Sequence, residues 1–346
     1  MASAGVDLFA ELDDLAVMGF VEVVSRLPFF ARLEAKVGEV LEQGVDLVIP
    51  VDYPGFNLRV TEKAHSMGIP VVYYIAPQVW AWKPGRTVRL ARAADRVAVI
   101  LPFEEEIFRA EGGRAVFVGH PLLDRDPSLP SREAFCAQVG LDPSREILAL
   151  LPGSRSQEVR RHLAPFLEAG ERLRKTRAGL QIAVARADTV RIELPPGADA
   201  SVVEDARGLL HHSRAAIVKS GTSTLEAALA GVPFVVAYKA HPWTFFLARR
   251  LVKVPHIALA NLVVGERVVP EVLQGGVTGE GLASLVGPLL ADTPDRKRIV
   301  EGLARVREKL GSPGAAGRVA GLAAEALAER RRPGGPSDGQ RGAPSR

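Results

Sequence analysis

The sequence predicts an α/β protein made of two doubly wound, Rossmann-like domains that face each other across a cleft. Short apolar runs rich in Val and Ile alternate with longer segments of helical periodicity, which is the pattern of βαβ units on parallel sheets. The chain has 346 residues, enough for about two domains of roughly 150 residues each. A polar, proline-containing stretch at 119–145 separates the two sets of runs, and we expect the hinge there.

Eight apolar runs are candidate strands, four on each side of the hinge. Ligands of doubly wound sheets bind outside the carboxyl ends of the strands, so the cleft between the two sheets is the expected binding site. We assign 1–142 to a first domain and 143–329 to a second, whose last helices are free to pack back on the first. The candidate strands are 45–51, 70–75, 96–101 and 115–118, then 146–151, 180–185, 214–218 and 233–237.

Composition and charge exclude several classes of protein. Lysines and arginines number 44 against 40 acidic residues, and the whole excess lies in 330–346, a Pro-, Gly- and Ser-rich segment that predicts a disordered basic tail. The rest of the chain is charge-balanced and carries no nucleic-acid-binding motif, so we expect no nucleic-acid partner. A single cysteine, Cys136, excludes a disulfide framework. No apolar run approaches the ~18 residues of a membrane span and the acidic start is no signal peptide, which predicts a cytoplasmic protein.

The segment 150–162, LLPGSRSQEVRRH, predicts an anion site. A buried strand ends at Leu151, a turn follows, and Ser154 is expected to cap a helix whose first N–H groups are free. The helix dipole favours a phosphate there, Gly153 allows its close approach, and Arg155 adds a guanidinium group. The alternative is an ordinary turn and helix cap with a solvated arginine.

A second anion site is predicted by 219–239, KSGTSTLEAALAGVPFVVAYK, where small polar residues join a strand to a helix. Glu226 lies in the first turn of this helix, where a carboxylate would repel a phosphate and more readily accepts hydrogen bonds from sugar hydroxyls. A diphosphate on the amides and a ribose on the acid together describe a nucleoside diphosphate. The alternative is that Glu226 only caps the helix. The small polar residues are Ser220, Gly221, Thr222, Ser223 and Thr224.

Asp52 directly follows the candidate strand 45–51, in the sequence VDYPGFN. An acid at the carboxyl end of a strand faces the cleft, so Asp52 is a candidate general base for a substrate hydroxyl; the alternative is an aspartate that only supports the turn. The sequence has no metal-binding motif, and we expect neither a metal nor another cofactor. A departing diphosphate would then be stabilised by helix N-termini and arginines.

Two stretches, 73–96 and 241–263, combine aromatic, aliphatic and basic residues. A basic face beside aromatic side chains suits an anionic membrane surface or a phosphorylated lipid. RNA binding and a plain solvated helix face are the alternatives. The candidate lipid contacts are Trp80, Trp82 and Arg86 in the first stretch and Trp243, Arg249 and Arg250 in the second.

Eight motifs stand in a characteristic order along the chain: LAVMGFVEV (15–23), VDYPGFN (51–57), YYIAPQVWAWKPGR (73–86), LPFE (101–104), VGHPL (118–122), LPGSRSQEV (151–159), SGTSTLEAAL (220–229) and ALANLVVG (258–265). Together they resemble the lipid-A-disaccharide synthases, a family of two-domain GT-B glycosyltransferases, and the resemblance covers essentially all of 1–325. It implies transfer of 2,3-diacylglucosamine from its UDP derivative to 2,3-diacylglucosamine 1-phosphate, a lipid X-type acceptor, with release of UDP in lipid A biosynthesis. It also implies peripheral association with the inner face of the cytoplasmic membrane, and it leaves a homodimer open.

The same resemblance implies roles for single residues. Asp52 matches a proposed general base for the acceptor 6-hydroxyl, and Asn261 matches an asparagine implicated in activity. Glu226 matches the acid that contacts ribose in related GT-B enzymes, and Arg186 corresponds to an arginine in a donor-site loop. An α-linked donor attacked opposite its UDP would give a β-1,6-linked product by a single inversion.

The chain departs from the family at its start. Family members begin with a strand and a Gly-rich loop that this sequence lacks, so we expect the first domain to be truncated at its N-terminus and the chain to be destabilised and inactive. Two alternatives remain from other classes. One is a different GT-B enzyme that uses a UDP-sugar, such as a peptidoglycan N-acetylglucosaminyltransferase or a UDP-GlcNAc epimerase. The other is a non-catalytic membrane-surface protein.

Overall fold

The computed structural model describes residues 5–8, 27–78, 85–241, 245 and 255–331. The described residues form two parallel sheets with helices around them. The first sheet has the strand order β1-β2-β3. Its elements are α1 (Leu27–Glu42), α2 (Pro54–Ser66), β1 (Val72–Tyr74), α3 (Gly85–Ala93), β2 (Arg96–Val99), α4 (Glu104–Ala110) and β3 (Ala115–Phe117).

The predicted strand 45–51 lies beside β1 but does not form a continuous strand. Two isolated parallel bridges join it to the neighbouring chain, one from Val48 to Val71 and one from Val51 to Tyr74. The N–H of Asp52 donates to the carbonyl of Tyr74 at 2.9 Å, so the pairing continues to the end of the segment. The other three strands predicted for this half are confirmed.

The second sheet has six parallel strands in the order β6-β5-β4-β7-β8-β9. The strand order reverses between β4 and β7, and doubly wound sheets open their ligand crevice at this reversal. The elements are α5 (Arg132–Val139), β4 (Ile147–Leu151), α6 (Ser156–Thr176), β5 (Gln181–Ala185), β6 (Ser201–Val203), α7 (Ala206–His212), β7 (Ala215–Lys219), α8 (Ser223–Ala230), β8 (Phe234–Tyr238), α9 (Leu259–Val264), β9 (Glu271–Leu273), α10 (Gly279–Leu290), α11 (Pro294–Lys309) and α12 (Ala315–Arg331).

Helices cover both faces of the second sheet, which explains why its central strands are continuous apolar runs. Helices α6 and α10 pack together, and α8 packs against α7 and α11. Gly170 lets α6 approach the sheet, because a Cβ there would lie 2.8 Å from the Cδ1 atom of Ile182. The four strands predicted for this half are confirmed, whereas β6 and β9 were not predicted. Each of those two has only three residues and lies at an edge of the sheet.

The last helix, α12, returns to the first sheet and packs against β1 and β2. Val319 and Leu322 join a small core with Val72 and Ala98. At the far end of the helix, Glu329 forms ion pairs with Arg96 and Arg114. Helix α5 lies before residue 142, but its apolar side chains belong to the core of the second sheet. The domain limits at 142 and 329 stay predictions. None of the helices in the described ranges is long and apolar enough to cross a bilayer.

Two segments, 118–125 and 310–318, connect the two sheets and form hydrogen bonds with each other. The N–H of His120 donates to the carbonyl of Leu310 at 3.0 Å. A short 3-10 helix (Pro121–Asp124) follows, and the carboxylate of Asp124 accepts hydrogen bonds from the N–H groups of Gly314 and Ala315, at 2.5 and 3.3 Å. We refer to these two segments together as the hinge; the first overlaps 119–145, where the sequence predicts a hinge, and the division into domains there stays a prediction.

Stability should fall in acid because of His120. Its side chain is 4% exposed and its Nδ1 atom accepts a hydrogen bond from the N–H of Leu122 at 3.2 Å. Burial, followed by the nearby guanidinium of Arg125, lowers the pKa of His120 to about 4 from an ordinary 6.5. As the pH falls, the unfolded chain therefore takes up a proton at this histidine before the folded chain does. The free energy of unfolding decreases by up to about 3 kcal/mol as the pH falls from about 6.5 to about 4.

We expect His120→Asn to reduce this loss, because asparagine keeps an acceptor for Leu122 but does not titrate. Urea unfolding of both proteins at pH 7.5 and 4.5 measures the effect. Other titrating groups contribute equally to both proteins, so the difference between the two pH dependences belongs to His120. Equal losses in the two proteins would contradict the prediction.

Candidate active site

A cavity of about 480 Å³ lies at the carboxyl ends of β4, β5 and β6, beside the start of α8. It sits next to the reversal of strand order, where a doubly wound sheet binds its ligand. Both predicted anion motifs contribute to its wall, as does Arg186. The predicted site residues that line it are Gly153, Ser154, Arg186, Ser223 and Glu226.

The first anion motif is closed by a side chain of the protein itself. Glu158, in the first turn of α6, accepts a hydrogen bond from the N–H of Ser154 at 3.2 Å. Gly153 has φ +126°, and a Cβ there would lie 2.6 Å from both the Cβ and Oε2 atoms of Glu158. The glycine thus admits Glu158, where the sequence predicted a phosphate.

The predicted helix cap at Ser154 is wrong. The helix begins at Ser156 with Arg155 as its N-cap, and no side chain makes a capping hydrogen bond. The guanidinium of Arg155 is 3.8 Å from Glu158 Oε1, and its side chain is 63% exposed. Glu158 therefore already supplies the negative charge that this helix end favours.

Glu158 also pairs with Lys219 across the crevice. Its Oε1 atom accepts a hydrogen bond from the Lys219 Nζ atom at 2.8 Å, and both side chains are largely buried, at 15% and 17% exposed. The pair ties the start of α6 to the end of β7. Sequence reasoning missed both residues, although a lysine that ends an otherwise apolar strand was a usable signal.

The second anion motif keeps three backbone N–H groups available. Those of residues 221 to 223 have no hydrogen-bond acceptor within the part of the chain that the structure describes. Gly221 adopts φ +153°, a region that favours glycine. The hydroxyls of Ser220 and Thr224 hold the loop, since they donate to the carbonyls of Ile257 and Gly221 at 2.8 Å each. The loop before α8 therefore presents backbone donors that the described residues leave unused.

Glu226 lies one turn into α8 and already has a partner. Its Oε1 atom accepts a hydrogen bond from an Nη atom of Arg125 at 2.8 Å, and the two side chains are 26% and 50% exposed. Arg125 follows the hinge 3-10 helix and lines the same cavity. The sequence gave no local signal for this contact, because the two residues are about a hundred positions apart.

Arg186 follows β5 and forms an ion pair with Glu204, which follows β6. Its backbone N–H donates to the carbonyl of Val203 at 2.8 Å. Asp188 and Arg207 line the same wall, so this side of the cavity carries charges of both signs. Such a wall offers donors and acceptors to a polar ring such as a nucleobase.

Asp52 lies in a strained turn at the end of the segment paired with β1. Asp52 and Tyr53 both have left-handed backbone angles, with φ of 48° and 46°. The carbonyl of Asp52 accepts hydrogen bonds from Asn57 Nδ2 at 2.7 Å and from the Tyr73 hydroxyl at 2.8 Å. Burial raises the pKa of Tyr73, and the Asp52 carboxylate raises it further. The backbone of Asp52 is thus fixed while its side chain stays exposed.

Asn261, which the family resemblance implicates in activity, lies in α9, and its role in activity stays a prediction. Its side chain is fully buried. The Nδ2 atom donates to the carbonyl of Val269 at 3.0 Å and to the Glu271 carboxylate at 2.8 Å. The Oδ1 atom accepts from the N–H groups of Val268 and Val269, at 2.9 Å each. All its hydrogen-bonding capacity holds the turn between α9 and β9.

The candidate lipid contacts are mostly beyond what the structure describes. Arg86 is in α3, half-buried, and its neighbour on that helix, Arg89, makes two hydrogen bonds of 2.7 Å to Glu62. The others, Trp80, Trp82, Trp243, Arg249 and Arg250, lie outside the described residues.

Solved structures share this fold at low sequence identity. The glycosyltransferase of kitacinnamycin has a TM-score of 0.59 at 17% identity, covering 96% of this chain and 88% of its own. A UDP co-structure of MnaA from S. aureus has a TM-score of 0.60 at 12% identity, covering 90% and 85%. These similarities place the two sheets in the GT-B fold that the sequence predicted.

Sequence relatives identify the family more closely. A family model described as lipid-A-disaccharide synthetase matches residues 1–312. A lipid-A-disaccharide synthase of Geobacter metallireducens is 40% identical over 340 residues, which is 96% of this chain and 88% of that protein. One of Anaeromyxobacter sp. strain K is 41% identical over 329 residues, or 92% and 86%. The chain therefore belongs to the lipid-A-disaccharide synthase family of glycosyltransferases.

Proposed function

We propose that this protein transfers a 2,3-diacylglucosaminyl group from its UDP derivative to the 6-hydroxyl of 2,3-diacylglucosamine 1-phosphate, a lipid X-type acceptor. The products are the β-1,6-linked lipid A disaccharide 1-phosphate and UDP. The observation that carries the proposal is the cavity at the strand-order reversal, which Ser223 and Glu226 of α8 line. Next to it, the N–H groups of residues 221 to 223 have no acceptor among the described residues. Membership of the family supplies the identity of the sugars.

The donor is bound through the start of α8 in this proposal. The N–H groups of residues 221 to 223 and the helix dipole hold the diphosphate. Glu226, one turn further along, accepts hydrogen bonds from the ribose hydroxyls. The uracil occupies the opposite wall near Arg186, where charged and backbone groups can pair with its edge.

The acceptor is activated by Asp52. The carboxylate takes the proton of the 6-hydroxyl, whose oxygen forms a bond to the anomeric carbon as the bond from that carbon to the diphosphate breaks. The electron pair of the broken bond leaves on the diphosphate, where the N–H groups at the start of α8 stabilise the growing charge. Attack opposite the leaving group converts an α-linked donor into a β-linked product.

An assay with donor and acceptor tests this function. We expect UDP and disaccharide in equal amounts, and no UDP when the acceptor is omitted. An isomerised UDP-sugar formed without acceptor would instead favour an epimerase. Absence of product would instead agree with the expectation from the sequence that the chain is inactive. Titration with UDP then separates a failure of donor binding from a failure of transfer.

We also propose that the reaction takes place at the inner face of the cytoplasmic membrane, where a diacylated acceptor resides. The support is the pairing of aromatic with basic residues in 73–96 and 241–263. We expect the protein to sediment with vesicles that contain anionic lipid and to remain in solution with purely zwitterionic vesicles at the same salt concentration. Equal partition with the two vesicle types would contradict this charge-based association.

A further inference from the structure

The ion pair between Arg125 and Glu226 places a hinge residue inside the donor cavity. Arg125 belongs to neither sheet. It directly follows Asp124, whose carboxylate caps the start of α12. The hinge therefore reaches the helix that the proposed function uses for the diphosphate and the ribose. This contact joins the hinge to the donor site.

The guanidinium of Arg125 already occupies one carboxylate oxygen of Glu226, Oε1, at 2.8 Å. A ribose that binds both carboxylate oxygens through its two hydroxyls therefore competes with Arg125. The pair is partly exposed, and exposed ion pairs contribute little to stability, so ribose hydroxyls can replace the guanidinium at low cost. Arg125 then loses its partner inside a cavity that has just received a diphosphate.

The released guanidinium has an acceptor within reach. Glu226 is the fourth residue of α8, so its backbone lies about one helical turn, roughly 5 Å along the axis, from the N–H groups at the helix start. Ser223, the first residue of the helix, and Arg125 line the same cavity. A planar guanidinium group binds phosphate oxygens in a forked geometry, which a neutral helix end alone does not supply.

We propose that Arg125 exchanges partners when the donor binds. In the donor-free protein it neutralises Glu226; with the donor in place, the ribose takes Glu226 and Arg125 binds the diphosphate, where it also stabilises the leaving group. The inference rests on the proposed function, because it needs a donor with both a ribose and a diphosphate. It makes Arg125 a substrate-binding residue that the sequence motifs did not reveal.

Affinities for UDP and uridine separate this exchange from a structural role. For Arg125→Ala we expect about tenfold weaker binding of UDP, the loss of one charge-assisted hydrogen-bond partner. Uridine has no phosphate and must displace Arg125 in the native protein, so the same variant should bind uridine equally well or more tightly. Calorimetry for UDP and an NMR titration for uridine provide the two dissociation constants.

Two further variants complete the experiment. Arg125→Lys keeps the charge without the fork and should recover only part of the UDP affinity. Arg172→Ala is the matched control. Arg172 is 48% exposed and pairs with Glu168 at 2.9 Å; both residues lie on α6 and neither lines the cavity. We expect it to bind both ligands as the native protein does.

Each outcome has a defined meaning. Weaker UDP binding with unchanged or tighter uridine binding in Arg125→Ala supports the exchange. An equal loss of affinity for both ligands means that Arg125 only shapes the cavity, and no loss for either means that it does not reach the diphosphate; both results overturn the inference and leave the proposed function standing. A native protein that fails to bind UDP would overturn the proposed function as well.

Discussion

Replacing Asp52 by asparagine should lower kcat by about 10²- to 10⁴-fold, the usual contribution of a general base, and leave the affinity for UDP unchanged. The proposed donor cavity lies at the carboxyl edge of the second sheet, whereas Asp52 follows the segment that pairs with β1 of the first sheet. The substitution should therefore remove proton transfer without changing the nucleotide site. Asparagine is the informative choice because Asp52 has φ 48°, and Asn tolerates left-handed angles that strain most other residues.

Steady-state turnover and UDP titration of Asp52→Asn measure the two effects. Asp46→Asn is the matched control, an exposed aspartate of the same segment that precedes the paired stretch, and it should retain full turnover. A thermal melt of Asp52→Asn checks that the turn survives. Turnover equal to the native rate would remove Asp52 as the base, and weaker UDP binding would place it at the donor instead.

Tyr73 and Asn57 explain how an exposed carboxylate can be held in place. Both donate to the carbonyl of Asp52, so the strained turn is fixed through its backbone. Strain of this kind persists only where the surrounding structure enforces it, and it is common at functional sites. The motif VDYPGFN predicted the position of the acid, but the left-handed angles and the tyrosine partner required the structure.

The sequence predicted most of the fold because burial leaves a direct trace in composition. Central strands such as β4 and β7 are covered on both faces and read as unbroken apolar runs. The edge strands β6 and β9 lack this trace, since each has three residues and includes a polar one. Burial on both faces, and not strand propensity, made the prediction possible.

The donor site could be predicted only in part, because a motif shows which groups are available and not which side chains fold onto them. The segment LLPGSRSQE correctly indicated a helix start, but the carboxylate of Glu158 accepts a hydrogen bond from the N–H of Ser154 and occupies the predicted anion position. Arg125 and Glu226 meet only because the hinge crosses the end of the sheet. A local contact therefore fills the start of α6, and a contact between distant parts of the chain brings Arg125 to Glu226.

Asn261 also forms contacts that its sequence motif does not reveal, and its replacement should strongly destabilise the folded protein. We expect Asn261→Ala to lower the free energy of unfolding by roughly 3–5 kcal/mol, because it leaves the buried N–H and carbonyl of Val269 without partners. The N–H of Val268 also loses an acceptor and keeps only the carbonyl of Glu266. Glu271 also loses a donor, although it keeps those of Ile257 and Ala258.

Urea unfolding of Asn261→Ala measures the loss directly. Gln157→Ala, which truncates an exposed amide on α6, is the control and should stay within about 0.5 kcal/mol of the native protein. The comparison also decides between two roles for Asn261. If it acts on the reacting atoms, the variant keeps native stability and loses turnover. If it holds the turn before β9, the free energy of unfolding falls and UDP binding weakens as a consequence. The reason is that the Ser220 hydroxyl, in the predicted anion site, donates a hydrogen bond to the carbonyl of Ile257, in the segment that this turn supports.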